Sequence, residues 1–424
     1  MVHIKLPYGK ESVIAEIPEA RLNAVLTSEL HKYKPKLSQT ELVREALENP
    51  IGTPRLNDLA KNRKKVVIIS SDHTRPVPSR IIMPLLLAEI RKGNSDADIT
   101  ILIATGSHRG TTKAELEAKF GPEIIANEKI CVHDCDDESM LVNIGTLPSG
   151  GKLILNKLAI EADLLISEGL IEPHFFAGFS GGRKSVLPGI AGRATVLYNH
   201  NAKFINSDRS RTGLLDGNPI HEDMIYAAEK AGLAFILNVV LNYDKEIIFA
   251  AAGDYNMAHI EGCNFLNGKC RVDSVPSDIV ISTNGGYPLD QNIYQAVKGL
   301  SAAEATVNNG GVIIMNAETS DGHGGEEFYK TFRDEKDLSK MMNCFLATPS
   351  EDTIADQWQS QILARVLMKA RVIYISGAPD EMVSNFNMIP AHTIEEAISI
   401  ADTILGKQGS KITVITDGVS VIVS

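Results

Sequence analysis

The sequence predicts an α/β protein of two domains, each built on a parallel-rich β-sheet flanked by helices. Three observations support this prediction. The chain of 424 residues is too long for one ordinary hydrophobic core. Short, β-branched apolar runs with little polar alternation recur along it, as is typical of parallel strands buried on both faces. Helical patterns follow several of these runs, and repeated strand–loop–helix units build layered α/β domains.

The apolar runs are interpreted as strands that open into loops at their carboxyl ends. Four of them end in Ile-Ser, namely Val66–Ser70, Leu164–Ser167, Ile279–Ser282 and Val372–Ser376. Two related runs are Ile99–Ala104 and Gly311–Met315.

Helices are predicted between these strands. A periodic apolar pattern covers Ser79–Arg91, and another covers Leu289–Val307. Thr112 and Glu115 have the spacing of a capping box, so a helix is predicted to begin there.

The domain boundary is placed near residue 272. The stretch Gly268–Asp278 contains a proline and little apolar periodicity, which is typical of a linker. The tail Lys411–Val423 has the pattern of a hairpin that turns at Asp-Gly. We therefore assign 1–272 plus 410–424 to an N-terminal domain and 273–409 to a C-terminal α/β domain.

Composition and charge narrow the class of protein. The chain is 44% hydrophobic and 22% charged, as soluble globular proteins are. A formal net charge of -11 argues against a non-specific nucleic-acid binder, which needs a basic surface. Because the N-terminus has no apolar signal core and no run approaches membrane-spanning length, we expect a cytoplasmic protein without a membrane partner. The five scattered cysteines fit a reducing compartment.

One cysteine cluster could ligate a metal. Cys131, His133 and Cys135 alternate along a predicted strand, so their side chains share one face. A second ligand pair of the Cys-x-x-Cys kind is missing, and we therefore expect a structural role.

Polar and glycine-rich loops follow the predicted strands. In open α/β sheets, ligands bind beyond the carboxyl ends of the strands. An active site in the cleft between the two domains would collect all of these loops. They are Ser71–Pro76, Thr105–Arg109, Glu172–Gly189, Asn284–Asp290 and Asp321–Gly325.

The loop Glu172–Gly189 combines three kinds of chemistry. His174 can move protons, and the pair Gly181-Gly182 lets a ligand approach the backbone closely. Arg183 supplies a cation and Lys184 an amine. A loop that only fills a core has little use for this mixture, so we interpret the segment as functional.

The loop after the first strand is a candidate anion site. The Thr74 hydroxyl and the Arg75 guanidinium suit a phosphate or carboxylate, although helix capping by Asp72 with a surface ion pair is the alternative. The chain has neither a Gly-x-Gly-x-x-Gly motif nor a Walker lysine loop, so ordinary dinucleotide or nucleoside triphosphate binding is not supported.

Further candidates follow other strands. His108 and His174 could serve opposite faces of a substrate as acid and base, although a lone histidine such as His108 is more often structural. His200 could be a soft-metal ligand or a helix N-terminal residue. Tyr294 and Lys298 share one helix face with Gln295 beside them, and could hold a small carboxylate or form an ordinary solvated face.

Four segments together resemble the nickel-dependent lactate racemase family, and the resemblance covers nearly the whole chain. The segments are Ser70–Pro76, Thr105–Arg109, Pro173–Ile190 and Gly286–Gly299. The resemblance implies a nickel pincer nucleotide, Ni(II)-pyridinium-3,5-bisthiocarboxylic acid mononucleotide, built by cofactor-maturation enzymes. The N-terminal domain would bind this cofactor, and the C-terminal domain would contribute substrate-binding residues.

The resemblance also implies residue roles. Lys184 would tether the cofactor close to nickel, and His200 would be the protein ligand of the metal. The cofactor would further contact Asp72, His73, Thr74, Arg75 and Pro188. The alternating acid and base would be His108 and His174, and the substrate carboxylate would lie against Tyr294, Gln295 and Lys298.

The implied reaction is the interconversion of L- and D-lactate through pyruvate, by proton-coupled hydride transfer to the cofactor. The nearest alternative is a racemase or epimerase of another 2-hydroxyacid on the same scaffold. A two-base racemase without metal would make Lys184 and His200 dispensable. A non-enzymatic binding module for a phosphorylated small molecule would need neither His108 nor His174.

Overall fold

The computed structural model describes residues 1–424 and contains two six-stranded sheets with four two-stranded ones. The strands are β1 Val2–Tyr8, β2 Glu11–Ile17, β3 Leu22–Leu26, β4 Lys65–Ser71, β5 Asp98–Ala104, β6 Lys129–Val132, β7 Leu141–Thr146, β8 Lys152–Asn156, β9 Leu164–Leu170, β10 Pro173–His174, β11 Gly178–Phe179, β12 Leu233–Leu241, β13 Ile247–Gly253, β14 Arg271–Val272, β15 Ser277–Thr283, β16 Val307–Asn316, β17 Arg371–Ile375, β18 Ile389–Ala391, β19 Ile412–Ile415 and β20 Ile422–Val423.

The helices are α1 Gln39–Glu48, α2 Leu56–Leu59, α3 Ser79–Gly93, α4 Lys113–Phe120, α5 Pro122–Asn127, α6 Lys157–Ile160, α7 Arg193–Asn199, α8 Ala202–Ile205, α9 Pro219–Lys230, α10 Met257–Cys270, α11 Ile293–Glu304, α12 Glu326–Asp334, α13 Leu338–Ala347, α14 Gln357–Lys369, α15 Asp380–Asn385 and α16 Ile394–Leu405. Single 3-10 turns occur at Leu30–Lys32, Glu138–Met140, Gly182–Ser185 and Ser350–Asp352. No helix has both the length and the apolar character needed to cross a membrane.

The first sheet has the strand order β13-β12-β9-β4-β5-β6. Its strands are parallel except for the antiparallel edge pair β12 and β13. Both faces are covered: Val67 and Ile69 of β4 lie in one apolar cluster, whereas Val66 and Ile68 lie in another. This two-sided burial explains the near-continuous apolar runs, and it confirms the three strands predicted for this part of the chain.

The second sheet has the order β18-β17-β16-β15-β19-β3 and is parallel throughout. The other three predicted strands are confirmed in it as β15, β16 and β17. The α/β class with parallel-rich sheets is therefore confirmed.

The two ends of the chain pair with other strands than the sequence predicted. The tail does not form a hairpin in the first domain, because β19 lies between β15 and β3 in the second sheet. The final strand β20 pairs instead with β14. At the N-terminus, β3 forms the edge of the second sheet, and Leu6 and Ile17 of the β1–β2 hairpin belong to the same apolar cluster as Ile314 of β16. Short apolar runs do not specify which sheet they join, and that is why the assignment failed.

The helices predicted from the sequence are present, but some of them end at other residues than predicted. The predicted capping box is confirmed at Thr112 and Glu115. Helix α11 is shorter than predicted, because the Asn292 side chain caps its first turn and β16 begins at Val307. The expected linker after Gly268 is partly ordered, since α10 continues to Cys270 and β14 follows.

Within the cluster of Cys131, His133 and Cys135, the His133 ring is held by contacts at both of its nitrogens. This imidazole is buried, with Nδ1 at 3.1 Å from the Asn156 side-chain amide and Nε2 at 3.1 Å from the Ala191 carbonyl oxygen. Burial lowers the pKa of His133, so the ring is a neutral hydrogen-bonding group. Because both of its nitrogens are occupied, the geometry supports the structural interpretation.

Each sheet reverses its direction of winding at one point. In the first sheet the chain runs outward from β4 to β5 and β6, while β9 lies on the other side of β4. In the second sheet the reversal lies between β15 and β19. Ligands of open α/β folds bind in the crevice beyond such a reversal. The loops Ser71–Pro76 and Glu172–Gly189 flank the first crevice, and Asn284 and Asp417 follow the strands that flank the second.

Candidate active site

The segment after β9 is held by tight backbone geometry. Strands β10 and β11 pair as a small hairpin, and two glycines with positive φ, Gly181 and Gly182, then reverse the chain. The Gly182 amide donates to the Asn238 side-chain oxygen at 2.7 Å, and a Cβ at Gly182 would lie 2.7 Å from the His259 ring. Only glycine fits this turn, which sets the direction in which Lys184 leaves the backbone.

Arg183 is fully buried and points away from Lys184's side of the loop, into the protein. Its guanidinium donates to the Ala177 carbonyl oxygen at 2.7 Å and to His221 Nδ1 at 3.0 Å, and it lies 3.0 Å from His259 Nε2. No carboxylate lies within 4.0 Å, and burial lowers its pKa to about 10. Arg183 therefore ties the loop to α9 through the hydrogen bond to His221 and packs against His259 of α10, whose Nε2 also lies 2.9 Å from the Ser180 carbonyl oxygen.

Replacing Arg183 by leucine should destabilise the protein. Each buried acceptor left without a donor costs about 1–3 kcal/mol, and several would be exposed together. We expect the free energy of unfolding to fall by roughly 3 kcal/mol, measured by chemical denaturation. The surface variant Arg80→Leu is the control, because Arg80 is exposed and its loss should cost less than about 1 kcal/mol. Equal effects in the two variants would contradict this account of Arg183.

Lys184 and His174 face each other across the loop. Lys184 Nζ lies 3.2 Å from His174 Nε2 and 5.5 Å from the centre of the Phe176 ring. The Ala177 amide donates to His174 Nδ1 at 3.3 Å, so the proton of a neutral His174 ring belongs on Nε2. That Nε2–H can donate to Nζ only when the lysine amine is uncharged.

The electrostatics of the pocket favour this uncharged amine. Burial lowers the pKa of Lys184 well below its usual value, and the charges of Arg183 and Arg75 lower it further. Burial also lowers the pKa of His174, as do Lys184 and Lys298. The charge of Glu172 opposes these effects, but no carboxylate lies within 4.0 Å of Lys184 Nζ, and the pKa remains well below its usual value. A neutral amine is a nucleophile, so the arrangement suits Lys184 to covalent chemistry with an electrophilic ligand.

Asp72 and His108 form a second pair at the end of β4. Asp72 is buried, and one of its oxygens lies 2.8 Å from Nδ1 of His108, whose side chain is 50% exposed. Its other oxygen accepts from the Thr74 hydroxyl at 2.6 Å and from the Thr74 amide at 3.1 Å. Burial raises the pKa of Asp72, but the hydrogen bond and charge of His108 bring it below the usual value.

The Asp72 carboxylate therefore selects one His108 tautomer. Nδ1–H of His108 donates to the carboxylate, which leaves Nε2 free to accept a proton. Asp72 and His108 were both candidate site residues from the sequence, but the contact between them was not predicted.

The side chains of Arg75 and His73, in the loop that follows β4, point in different directions. Arg75 is half-buried, and its charge affects His174, Lys184 and Lys298, so it faces the same pocket. His73 turns the other way, with Nδ1 at 3.3 Å from the Thr111 hydroxyl.

Sequence reasoning missed the buried residue that holds the loop, Glu168 of β9. One of its oxygens accepts from the hydroxyls of both Ser70 and Ser79, which are the residues on either side of the loop. A buried glutamate inside an otherwise apolar strand is the only signal that could have revealed it.

His200 lies behind Lys184 in an aromatic enclosure. Its Nδ1 is 3.0 Å from the Val196 carbonyl oxygen, while Nε2 makes no hydrogen bond. The rings of Phe176 and Trp358 meet the imidazole edge-on, at 5.2 and 5.1 Å between centroids. Burial and Lys184 lower its pKa to about 3, so His200 is a neutral ring with a free lone pair, as a metal ligand must be.

Helix α11 of the second domain brings Lys298 to this pocket. Lys298 lines a small cavity with Glu172, His174 and Thr212, and burial with the Arg75 charge lowers its pKa to about 8. Gln295 is half-buried on the same helix, and its side chain makes no hydrogen bond. The Tyr294 hydroxyl, by contrast, donates to an Asp356 oxygen at 2.8 Å.

Pro188 closes the loop against the His108 segment. The Gly106 amide donates to the carbonyl oxygen of Gly189 at 2.9 Å, and a Cβ at Gly106 would lie 3.8 Å from the Pro188 Cβ. This contact joins the two histidine-bearing loops.

The pocket thus combines two cationic side chains, Arg75 and Lys298, with a free imidazole and the uncharged amine of Lys184. Arg75 lowers the pKa of both lysines, and no carboxylate lies within 4.0 Å of any of the three groups. Such a surplus of positive groups fits an anionic ligand, and the free His200 Nε2 fits a soft metal bound beside sulfur.

Comparison with known proteins gives a consistent result. A family model described as the lactate racemase N-terminal domain matches residues 8–213, and one described as the lactate racemase C-terminal domain matches residues 272–423. A lactate racemase of Thermoanaerobacterium thermosaccharolyticum is 54% identical over 100% of this chain and 99% of the relative. A lactate racemase of Lactiplantibacillus plantarum is 53% identical over the whole of both chains.

Solved structures agree. The lactate racemase apoprotein of T. thermosaccharolyticum superimposes with a TM-score of 0.97, at 54% identity and full coverage of both chains. A Thermotoga maritima protein shares the fold alone, with a TM-score of 0.64 at 19% identity over 92% of this chain and 99% of its own.

Proposed function

This chain belongs to the lactate racemase family, and we propose that it interconverts L- and D-lactate with a nickel pincer nucleotide tethered to Lys184. The observation that carries the cofactor part of the proposal is the position of Lys184, whose Nζ lies 3.2 Å from His174 Nε2 where burial and neighbouring cations lower the pKa of the amine. A two-base racemase could use a neutral amine as a base, but it would leave Lys184 unmodified after maturation, whereas a tethered cofactor adds mass to this residue.

The residues around Lys184 fit the cofactor. The Lys184 amine has the lone pair that forms an amide-type bond, and the His200 imidazole offers Nε2 to nickel. Thr74 and Arg75 would hold the phosphate at the start of α3, where helix amides favour anions. Asp72, His73 and Pro188 would border the nucleotide. When bound, the cofactor supplies a hydride acceptor for C2 of lactate, which is a weak carbon acid.

The protein moves the proton of the lactate hydroxyl. His108 presents Nε2 as a base, because Asp72 holds Nδ1. His174 is the partner for the opposite enantiomer, since its ring lies on the Lys184 side of the same pocket. One histidine takes the hydroxyl proton from one enantiomer, and the other returns a proton to the oxygen of the keto acid after it has reoriented.

The second domain positions the substrate. Lys298 beside the half-buried Gln295 would bind the carboxylate of lactate or pyruvate, with Tyr294 next to them. The apolar walls formed by Phe176 and Trp358 would keep water from the reacting carbon. Cofactor-maturation enzymes would act on the chain before it becomes active.

The experiment that tests this proposal follows the hydrogen at C2. Lactate racemised in deuterium oxide should keep protium at C2, because hydride held in a closed site does not exchange with solvent. The reverse control, 2-deuterated lactate in ordinary water, should keep its deuterium. NMR of the product decides the outcome, and stoichiometric solvent hydrogen at C2 would show two-base chemistry instead.

A further inference from the structure

We propose that Lys119 is a second cation of the phosphate site and binds the phosphate of the tethered nucleotide together with Arg75. The inference rests on the proposed function, because it adds a residue to the same nucleotide-binding loop. Lys119 lies on α4, outside all the segments singled out from the sequence, and it reaches this loop only in the folded protein.

The direction of the Lys119 side chain is the first observation. A lysine in the last turn of a helix ordinarily interacts with the terminal carbonyls of that helix. In α4 the Arg80 guanidinium takes this place, donating to the carbonyl oxygens of Glu117 and Ala118 at 3.1 and 3.0 Å. Lys119 Nζ points instead to the hydroxyl of Ser71, at 3.3 Å, at the end of β4.

The second observation is that Lys119 has no ion-pair partner. The charges of Glu168 and Asp72 act on it, but neither carboxylate lies within 4.0 Å of Nζ. Asp72 is engaged by His108 and Thr74, and one oxygen of Glu168 is engaged by two serine hydroxyls, while its other oxygen is buried without a hydrogen bond and lies more than 4.0 Å from Nζ. Lys119 is half-buried, and this burial lowers its pKa. A cation held without a partner in such a place favours an anionic ligand.

The surroundings suit a phosphate monoester. Ser71 adds a hydroxyl group whose own proton is free, because Lys119 Nζ is the donor in the contact between them, and the 15-residue helix α3 follows the loop. The Arg75 side chain forms no hydrogen bond within the protein, so it is also available to an anion. A phosphate monoester carries a charge of about -1.5 to -2 at neutral pH, which two cations balance.

The test compares nicotinic acid mononucleotide with its riboside, which lacks the phosphate, by calorimetric titration of the cofactor-free chain. The wild-type chain should bind the mononucleotide more tightly. Lys119→Met should weaken mononucleotide binding on the order of tenfold or more, as loss of a charge-assisted hydrogen bond predicts, and should leave riboside binding unchanged. Lys119→Arg should restore most of the affinity.

Two controls accompany this test. Lys113→Met removes an exposed lysine from the same helix and should change nothing. Thermal melts of Lys119→Met and of the polar variant Lys119→Gln separate a loss of binding from a loss of folding.

The outcomes distinguish the inference from the proposed function. If Arg75→Met weakens mononucleotide binding but Lys119→Met does not, the role of Lys119 is overturned while the nucleotide site stands. If the wild-type chain shows no preference for the mononucleotide, the phosphate site itself is overturned, and the role of Lys119 with it.

Discussion

Replacing Lys184 by methionine should reduce lactate racemisation to the background rate while leaving the chain folded. Methionine has a similar length but no amine, so no covalent attachment can form. The unmodified protein should be as stable as the wild type or more stable, because a lysine whose pKa burial lowers costs free energy to bury and methionine does not. Chiral analysis of lactate and intact-mass measurement after maturation test both parts.

The matched control is Lys203→Met, an exposed lysine on the nearby helix α8, which should retain full activity and full modification. Peptide mapping of the matured wild-type chain should place the added mass on Lys184. A modification on another lysine, or full activity of unmodified nickel-free protein, would refute the tether.

Replacing His174 or His108 by glutamine should lower turnover on the order of a hundred- to ten-thousand-fold, the usual contribution of a general acid or base. Each reaction direction needs one histidine as base and the other as acid. Because the two enantiomers of lactate have equal free energy, either replacement must lower kcat/KM by the same factor in both directions, whereas kcat and KM can change separately. Rates measured from pure L-lactate and from pure D-lactate check this equality.

The cofactor should remain bound in both variants, since neither histidine is proposed to hold nickel or the tether. Nickel content and the mass of the Lys184 peptide should match those of the wild type. A double replacement should cost little more than the worse single one, because the two residues act in one proton cycle. If either single variant keeps near-normal turnover, the acid–base role of that histidine is wrong.

The residues of the proposed cofactor site were largely predictable from the sequence because they lie in loops that follow apolar strands. Parallel strands bring their carboxyl ends to one edge, so the loops carrying Thr74, His108 and Lys184 had to meet. The pairings within the site were not predictable. Asp72 and His108 are far apart in the chain, and nothing local to either residue indicates the 2.8 Å contact between them.

The roles of buried polar residues were likewise not predictable from the sequence. Arg183 stands beside Lys184 in the sequence, and both would be expected to face a ligand. The structure turns Arg183 into the core between α9 and α10, where it holds the loop. Glu168 in an apolar strand gave no sign that it joins Ser70 to Ser79. Such roles depend on elements packed from distant parts of the chain.

By itself, the sequence determined the fold class, the strands, the main helices and the family, because hydrophobic periodicity and contiguous motifs are local properties of a chain. The tertiary structure decided which sheet the chain ends join, which tautomers His108 and His174 adopt, and that burial lowers the pKa of Lys184 well below its usual value. Strand partners are chosen by packing among many similar apolar runs, and pKa values are set by burial and by charges on other elements. Both are sums over long-range contacts, which exist only once the chain has folded.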